Sequence, residues 1–150
     1  MCDSDWSSDV CSSDLLPGLV AFAFGAASAR AIDRKGIRAA TLGAMADAVG
    51  RLDPGGHAPV LVDGRDVPAP LAGRAHALPR ADGRALEVAA ASVLAKVLRD
   101  RLMAALAARH PVYGWERNAG YLVPAHISSV KTHGCTGHHR TTFLRRLDKR

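Results

Sequence analysis

The sequence is poor in cysteine and in aromatic residues, and it has no long uninterrupted apolar run. Three cysteines among 150 residues provide no disulfide framework, which favours a reducing, cytoplasmic compartment. Aromatic residues make up only 5% of the chain, so alanine, leucine and valine supply most of its apolar character, as is typical of helix-rich or α/β domains. The apolar stretch at residues 15–29 follows an acidic segment and is too short to span a bilayer. We therefore expect neither a membrane anchor nor an export signal.

Positive charge is absent from the first 29 residues and concentrated in the rest of the chain. Residues 1–29 contain four aspartates and no lysine or arginine, whereas residues 30–150 hold all 20 basic residues against 10 acidic ones, a net charge of +10. A domain this basic favours a polyanionic partner, usually nucleic acid. An arginine-rich composition whose charges are merely solvated is the alternative at this point.

Alanine and glycine are missing from residues 1–14, although both are common elsewhere in the chain. This segment is rich in serine and aspartate and begins an imperfect repeat, Trp-Ser-Ser-Asp-Val followed by Cys-Ser-Ser-Asp-Leu. Low hydrophobicity and like charges disfavour packing. We therefore expect residues 1–14 to be a disordered acidic leader or a sequence foreign to the domain, and residues 15–150 to form one partial domain.

Apolar periodicity and turn residues predict helices alternating with short strands, joined by polar or glycine-rich loops. The helices are expected at residues 41–52, 85–109 and from 124 to near 134, the strands at 58–62 and 75–78, and the loops at 80–84 and 113–121. A helix followed by a buried strand is typical of an αβ unit in a partly parallel sheet. The long helix should carry a wide apolar face, with a polar strip of Ser92, Lys96 and Arg99 at its margin.

Two aspartates are candidates for metal binding. Asp63 follows the predicted strand at 58–62, at the sheet edge where α/β proteins usually hold ligands, and Asp82 lies in the loop before the long helix. Phosphodiester hydrolysis with two divalent ions needs carboxylates from several elements, because hard cations take oxygen ligands. Both aspartates precede glycine, however, so two ordinary Asp-Gly turns are the alternative.

Five blocks of the sequence resemble ribonuclease HII (type 2 ribonuclease H) in order and spacing. They are residues 31–45 (AIDRKGIRAATLGAM), 60–66 (VLVDGRD), 80–101 (RADGRALEVAAASVLAKVLRDR), 113–126 (YGWERNAGYLVPAH) and 137–143 (GHHRTTF). The run Ala-Ala-Ala-Ser-Val-Leu-Ala-Lys in the third block is the most specific, and the resemblance extends from about Phe22 to Leu147. It implies an α/β fold with a ribonuclease H-like mixed sheet flanked by helices.

The resemblance also implies roles for five residues. Asp63 matches the family's metal-binding aspartate at the end of a central strand, and Asp82 matches the last acidic residue of its Asp-Glu-Asp-Asp set. Ser92 and Lys96 match residues that face the substrate backbone, and Tyr121 matches the tyrosine at the junction between ribonucleotide and deoxyribonucleotide. From the residues alone, the alternatives are ordinary surface side chains on the helix and a tyrosine packed beneath its loop.

The activity that the resemblance implies is endonucleolytic cleavage of the RNA strand of RNA–DNA hybrids, including single ribonucleotides in duplex DNA. It further implies a site for two Mn²⁺ or Mg²⁺ ions. The expected partner is an RNA–DNA hybrid or ribonucleotide-containing duplex DNA, and the expected working form is a cytoplasmic monomer.

The sequence departs from the family's pattern in two places. Residues 118–123 read Asn-Ala-Gly-Tyr-Leu-Val, where family members have His-Lys-Gly-Tyr-Gly-Thr. The family's opening Asp-Glu-Ala-Gly-Arg-Gly segment, which supplies two metal ligands and the backbone that senses the 2′-hydroxyl, has no counterpart in the sequence, and Asp33 fits only a non-catalytic Ile-Asp. We therefore expect an N-terminally truncated domain that lacks hydrolytic activity and exposes an unpaired, aggregation-prone strand.

Two other functions remain open at this stage. A non-catalytic nucleic-acid-binding remnant is consistent with the charge alone. A small zinc-binding module would use Cys135 and His138, which have a zinc-like spacing. Its second pair would be His126 and His133, but these are separated by six residues, which does not fit a usual zinc finger.

Overall fold

The computed structural model describes residues 21–144, which belong to two compact units. The first unit comprises residues 21–27 and 35–89, and the second comprises residues 28–34 and 90–144. The helices and strands are α1 (Ala29–Lys35), α2 (Ile37–Leu52), β1 (Val60–Asp63), β2 (Ala75–Leu78), α3 (Leu86–Arg109), α4 (Trp115–Asn118), α5 (Pro124–His133) and α6 (Thr141–Leu144). Single 3₁₀ turns occur at Ala69–Leu71, Ala81–Gly83 and Pro111–Tyr113.

An ion pair in the first unit joins the C-terminal end of α2 to the beginning of the sheet. Asp53 follows the last residue of α2, and its Oδ2 accepts hydrogen bonds from Nη1 of Arg74 at 2.6 Å and from the backbone N–H of Ala58 at 2.9 Å. The same Arg74 nitrogen donates to the carbonyl oxygen of Ala58 at 3.0 Å. These contacts hold the loop that leads from the helix into β1.

The strands β1 and β2 form a parallel pair, with Val60 opposite Ala75 and Asp63 opposite Leu78. Parallel strands cannot be joined by a tight hairpin, and the connection between them instead passes through the 3₁₀ turn at Ala69–Leu71. The C-terminal ends of both strands therefore lie at the same edge of the sheet, and Asp63 is the last residue of β1 at that edge.

The core of the second unit is aromatic. Its buried residues and the side chains packed against them are Ala107, Tyr113, Trp115, Met103, Leu106 and Val130. The rings of Tyr113 and Trp115 stack with centroids 5.1 Å apart, and the Tyr113 hydroxyl donates to the carbonyl oxygen of Gly134 at 3.0 Å. Stacked aromatic pairs of this kind contribute about 0.5–1.5 kcal/mol beyond the area they bury.

The apolar face predicted for the long helix is present, but much of it is exposed. The exposed apolar residues of α3 include Leu86, Val93, Leu94, Val97, Leu98 and Leu102. Much of the face is uncovered in the described chain because only the C-terminal part of α3 reaches the aromatic core. Despite the length of α3, no helix within residues 21–144 is both long and apolar enough to cross a membrane.

The α/β class is confirmed, and the strand predicted at residues 75–78 has the bounds of β2. The helix α2 begins four residues before the predicted 41–52 segment, and β1 lies later than predicted. The prediction of a loop over residues 113–121 is wrong for its middle part, because Trp115–Asn118 form the short helix α4. Gly114 and Ala119, both with positive φ, flank this helix. The described strands are parallel, so the mixed sheet stays a prediction. The proposed leader at residues 1–14 lies outside the described residues.

Candidate functional site

Asp63 lies at the C-terminal end of β1 and is tied to the turn that precedes α3. Its side chain is exposed, and its Oδ1 accepts a hydrogen bond from the backbone N–H of Ala81 at 3.0 Å. Ala81 is completely buried, which anchors the turn at this point. The carboxylate of the strand end is thereby fixed beside the residue that immediately precedes Asp82.

Asp82 occupies the middle of the 3₁₀ turn Ala81–Gly83. Its side chain is exposed, and its Oδ1 accepts a hydrogen bond from the backbone N–H of Gly83 at 3.0 Å. Arg80, just before the turn, has a φ of 58°, a left-handed conformation that costs a non-glycine residue about 1–2 kcal/mol. The backbone immediately before Asp82 is therefore strained. The burial of Ala81 and its hydrogen bond to Asp63 hold the backbone in this conformation.

The two carboxylates have the chemistry of divalent-cation ligands. Each uses one oxygen to accept a backbone N–H, and neither has a hydrogen-bond partner for its other oxygen among the described residues. Mg²⁺ and Mn²⁺ prefer such carboxylate oxygens. Between residues 21 and 144 no group of three or more histidine, cysteine or acidic side chains converges on one point, so Asp63 and Asp82 fit part of a coordination sphere and do not complete one.

Asp66, in the same block as Asp63, is engaged in a different contact. Both of its carboxylate oxygens accept hydrogen bonds from the guanidinium group of Arg38 in α2. The Arg38 contact lowers the pKa of Asp66. This carboxylate is therefore an ion-pair partner, and it serves as a natural control for substitutions at Asp63.

In the second unit, Ser92 and Lys96 are exposed on α3. Lys96 is not isolated, because its Nζ lies 2.6 Å from Oδ2 of Asp100, one turn further along the helix. Ser92 has no hydrogen-bond partner among the described side chains. The predicted polar strip is thus exposed, and Asp100, which the sequence analysis did not single out, balances part of its positive charge.

Tyr121 is exposed, with 62% of its surface accessible, so the alternative of a tyrosine packed beneath its loop is wrong. Its hydroxyl lies 3.2 Å from Nη1 of Arg99, and the Arg99 guanidinium carbon is 5.6 Å from the ring centroid. Tyr121 and Arg99 border an open cleft of about 330 Å³ that Met103 and Trp115 also line. Arg99 belonged to the predicted polar strip, but only the tertiary structure brings it to Tyr121.

Two histidines near this loop are buried, and the sequence analysis considered only one of them, His126, as a possible zinc ligand. His126 is 2% and His139 is 6% exposed. Their Nε2 atoms lie 3.3 Å apart, and His126 Nε2 also accepts a hydrogen bond from Trp115 Nε1 at 3.2 Å. Burial lowers the pKa of His139, and the neighbouring His126 lowers it further. These contacts leave the His126 ring in a hydrogen-bonded core.

The zinc-binding alternative gains no support from the described residues. Cys135 is exposed, and no third histidine, cysteine or acidic side chain joins it and His138 within residues 21–144. The proposed site residues also fall into two sets. Asp63 and Asp82 belong to the first unit, whereas Ser92, Lys96 and Tyr121 belong to the second.

Comparison with known proteins identifies the family. The sequence model of the family Ribonuclease HII matches residues 12–147. The ribonuclease HII of Granulibacter bethesdensis is 50% identical over 127 residues, which cover 85% of this chain and 57% of the relative. The ribonuclease HII of Ruegeria pomeroyi is 45% identical over 132 residues, which cover 87% of this chain and 55% of the relative. That of Thermosynechococcus vestitus is 44% identical over 128 residues, which cover 85% of this chain and 59% of the relative. The chain thus spans less than two thirds of the length of these relatives, and over that span it belongs to the ribonuclease HII family.

Proposed function

We propose that the protein is an endoribonuclease that cleaves the RNA strand of RNA–DNA hybrids by divalent-metal-dependent phosphodiester hydrolysis. The observation that carries this proposal is the hydrogen bond from the Ala81 N–H to Asp63 Oδ1. It holds the carboxylate at the end of β1 beside the turn that carries Asp82. Two carboxylates from separate elements, each with an oxygen to spare, suit metal-dependent hydrolysis better than two ordinary turns do.

Asp63 and Asp82 would hold Mn²⁺ or Mg²⁺, with two ions in the complete site. When bound, such ions lower the pKa of a coordinated water and stabilise charge on phosphate oxygens. The chain's own contribution is to orient the ligands. The backbone N–H groups of Ala81 and Gly83 each fix one carboxylate oxygen, which leaves the other oxygen of each side chain without a hydrogen-bond partner among residues 21–144.

The second unit supplies the residues for substrate binding. Lys96 and Ser92 would contact the phosphate backbone, and the exposed ring of Tyr121 would stack at the junction between a ribonucleotide and a deoxyribonucleotide. An aromatic ring can stack on any base or sugar, and distinguishing RNA from DNA depends on the 2′-hydroxyl. The proposed contact of Tyr121 extends the proposed substrates to single ribonucleotides in duplex DNA. We further propose that the protein acts in the cytoplasm as a monomer.

A chimera tests the proposal. The matched region of the Granulibacter bethesdensis relative is replaced by the corresponding residues of this chain, and cleavage of an RNA–DNA hybrid is measured in Mn²⁺ and in Mg²⁺. The chimera should cleave, and Asp63→Asn or Asp82→Asn should reduce cleavage to background. Asp66→Asn removes a neighbouring carboxylate that is already paired with Arg38, and it should retain activity. An inactive chimera beside an active parent relative, or equal losses in all three variants, would contradict the proposal.

For the 150-residue chain assayed by itself, we propose that hydrolysis does not occur. Its sequence offers Asp63 and Asp82 but no counterpart of the family's opening acidic pair, so the ligand set is incomplete. Cleavage of a hybrid by the purified chain in Mn²⁺, lost in Asp63→Asn, would overturn this point.

A second function, nucleic-acid binding without catalysis, is favoured by the net charge of +10 over residues 30–150. Binding of this kind is dominated by phosphate contacts and weakens steeply with salt. This second function predicts that the 150-residue chain binds a hybrid duplex equally well with and without divalent cations. An inactive chimera whose affinity for the hybrid is unchanged would favour this second function over the first.

A further inference from the structure

We propose that His126 is a positioning residue for Tyr121: its buried imidazole holds the backbone of Tyr121 so that the exposed ring is presented to the nucleic acid. The inference rests on the proposed function, in which Tyr121 contacts the substrate. It goes beyond that function by assigning a role to a residue that is buried and touches no substrate.

The tautomer of His126 follows from its partners. His126 Nδ1 lies 2.9 Å from the carbonyl oxygen of Tyr121. Because a carbonyl oxygen can only accept, Nδ1 carries the proton and donates it. In the neutral ring Nε2 then has a free lone pair, and the indole N–H of Trp115 donates to it at 3.2 Å.

His139 is oriented toward the same lone pair. Its Nδ1 accepts a hydrogen bond from the backbone N–H of Thr136 at 3.0 Å, so its proton resides on Nε2. That nitrogen lies 3.3 Å from His126 Nε2. The Thr136 backbone, His139, Trp115 and His126 therefore form one hydrogen-bonded network that ends on the carbonyl oxygen of Tyr121.

The Tyr121 backbone is held from its N-terminal side as well. The Tyr121 N–H donates to the carbonyl oxygen of Asn118 at 2.8 Å. The two residues between them have positive φ, 46° at Ala119 and 81° at Gly120, so the chain reverses sharply here. A sharp, partly strained turn needs fixed contacts on both sides to keep one geometry. On the C-terminal side the Tyr121 carbonyl oxygen accepts from the Val123 N–H at 2.9 Å and from His126 Nδ1, and His126 is the contact that ties this carbonyl to the buried histidine network.

Two conservative substitutions separate positioning from packing. In His126→Asn the side-chain amide N–H can occupy the place of Nδ1–H and still donate to Tyr121. In His126→Gln the amide reaches the place of Nε2 and keeps a partner for Trp115, but the donor to Tyr121 is lost. Both variants remove the ring, so both should lower the melting temperature of the 150-residue chain by similar amounts.

Binding is measured by fluorescence anisotropy without divalent cations, in the chimera that supplies the family's opening segment, with a duplex containing one ribonucleotide and with the all-DNA duplex of the same sequence. Tyr121→Ala serves as the reference for complete loss of the preference for the ribonucleotide duplex. The ratio of the two affinities should fall about tenfold if one stacking contact is removed. His126→Gln should approach that loss, whereas His126→Asn should stay within about twofold of the wild type. Equal losses of preference in the two variants, in step with their melting temperatures, would show a purely structural role and overturn the inference.

A substrate-free measurement keeps this inference separate from the proposed function. The carbonyl ¹³C shift of Tyr121 and the amide shift of Leu122 are recorded by NMR in each chain. They should change in His126→Gln and stay near wild-type values in His126→Asn. If the shifts behave so but Tyr121→Ala leaves binding unchanged, the substrate role of Tyr121 fails while the positioning by His126 stands. Unchanged shifts in His126→Gln would overturn the positioning itself.

Discussion

Lys96 Nζ lies 2.6 Å from Oδ2 of Asp100, one helical turn further along α3. The other oxygen of the same carboxylate accepts from Nη2 of Arg99 at 2.9 Å. These hydrogen bonds, with that from Lys96 as the largest cause, lower the pKa of Asp100. One carboxylate thus balances two cations on the face that we propose for nucleic-acid binding. Exposed ion pairs contribute little to stability, so its charge should matter more for binding than for folding.

We predict that Asp100→Asn increases the affinity of the chain for an RNA–DNA hybrid, most strongly at low salt. The substitution removes a negative charge beside Lys96 and Arg99, and phosphate contacts of free cations dominate such binding. Lys96→Ala should do the opposite, weakening binding and reducing the slope of log affinity against log salt by about 0.9. Binding is measured by anisotropy across a salt series.

Asp47→Asn is the matched control for this prediction. Asp47 is an exposed residue of α2, and its substitution changes the net charge by the same amount in the other unit. An equal gain in affinity from Asp47→Asn would mean that net charge, and not the local pairing of Lys96, controls binding.

Asp33 should make the stability of the second unit dependent on pH. Its carboxylate accepts hydrogen bonds from the backbone N–H and hydroxyl of Thr141 at 2.7 and 2.8 Å, and from the same two groups of Thr142. The side-chain hydrogen bond from Thr142 is the largest cause that lowers the pKa of Asp33 from 3.8 to about 2. Because the folded pKa is the lower one, the stabilisation is present above pH 3.8 and disappears as the pH falls toward 2.

The variant Asp33→Asn tests this prediction. At neutral pH it should melt below the wild type, because the charged acceptor of four hydrogen bonds is lost. The difference should shrink between pH 4 and 2. Thermal unfolding is followed by circular dichroism, with Asp47→Asn as the control that should follow the wild-type profile. A difference that stays constant down to pH 2 would contradict the assignment.

Ala119→Gly should stabilise the chain, unlike most alanine-to-glycine substitutions. Ala119 has a φ of 46°, where an L-residue is strained by about 1–2 kcal/mol and glycine is not. Ala105→Gly, at an exposed position inside α3, is the matched control and should cost about 1 kcal/mol. Urea unfolding measures both free energies. A loss of stability in Ala119→Gly as large as that in Ala105→Gly would contradict the strain at this turn.

Local sequence patterns were sufficient where neighbouring residues decide the structure. Pro124 opens α5 and Gly134 follows it, as expected from a residue that suits the first helical turn and one that tolerates positive φ. The strand at residues 75–78 and the place of Asp63 at the end of β1 were also predicted, because a short apolar run bounded by turn residues indicates a strand. The burial expected of the first strand is wrong, since only Val62 of the four residues in β1 is buried. The resemblance to ribonuclease HII, read from the blocks around Asp63, Asp82 and Tyr121, is confirmed as the chain's family.

The remaining features depend on residues far apart in the sequence. Asp33 meets Thr141 across 108 positions, and His126 meets His139 across 13, distances at which no periodicity carries information. Residues of the same type also differ in burial, since Tyr113 lies in the core whereas Tyr121 is exposed. The sequence by itself determined the α/β class, the family and the candidate ligands Asp63 and Asp82. Only the tertiary structure decided what orients Asp63, because its hydrogen bond from the backbone N–H of Ala81 joins residues 18 positions apart and forms only when the chain has packed.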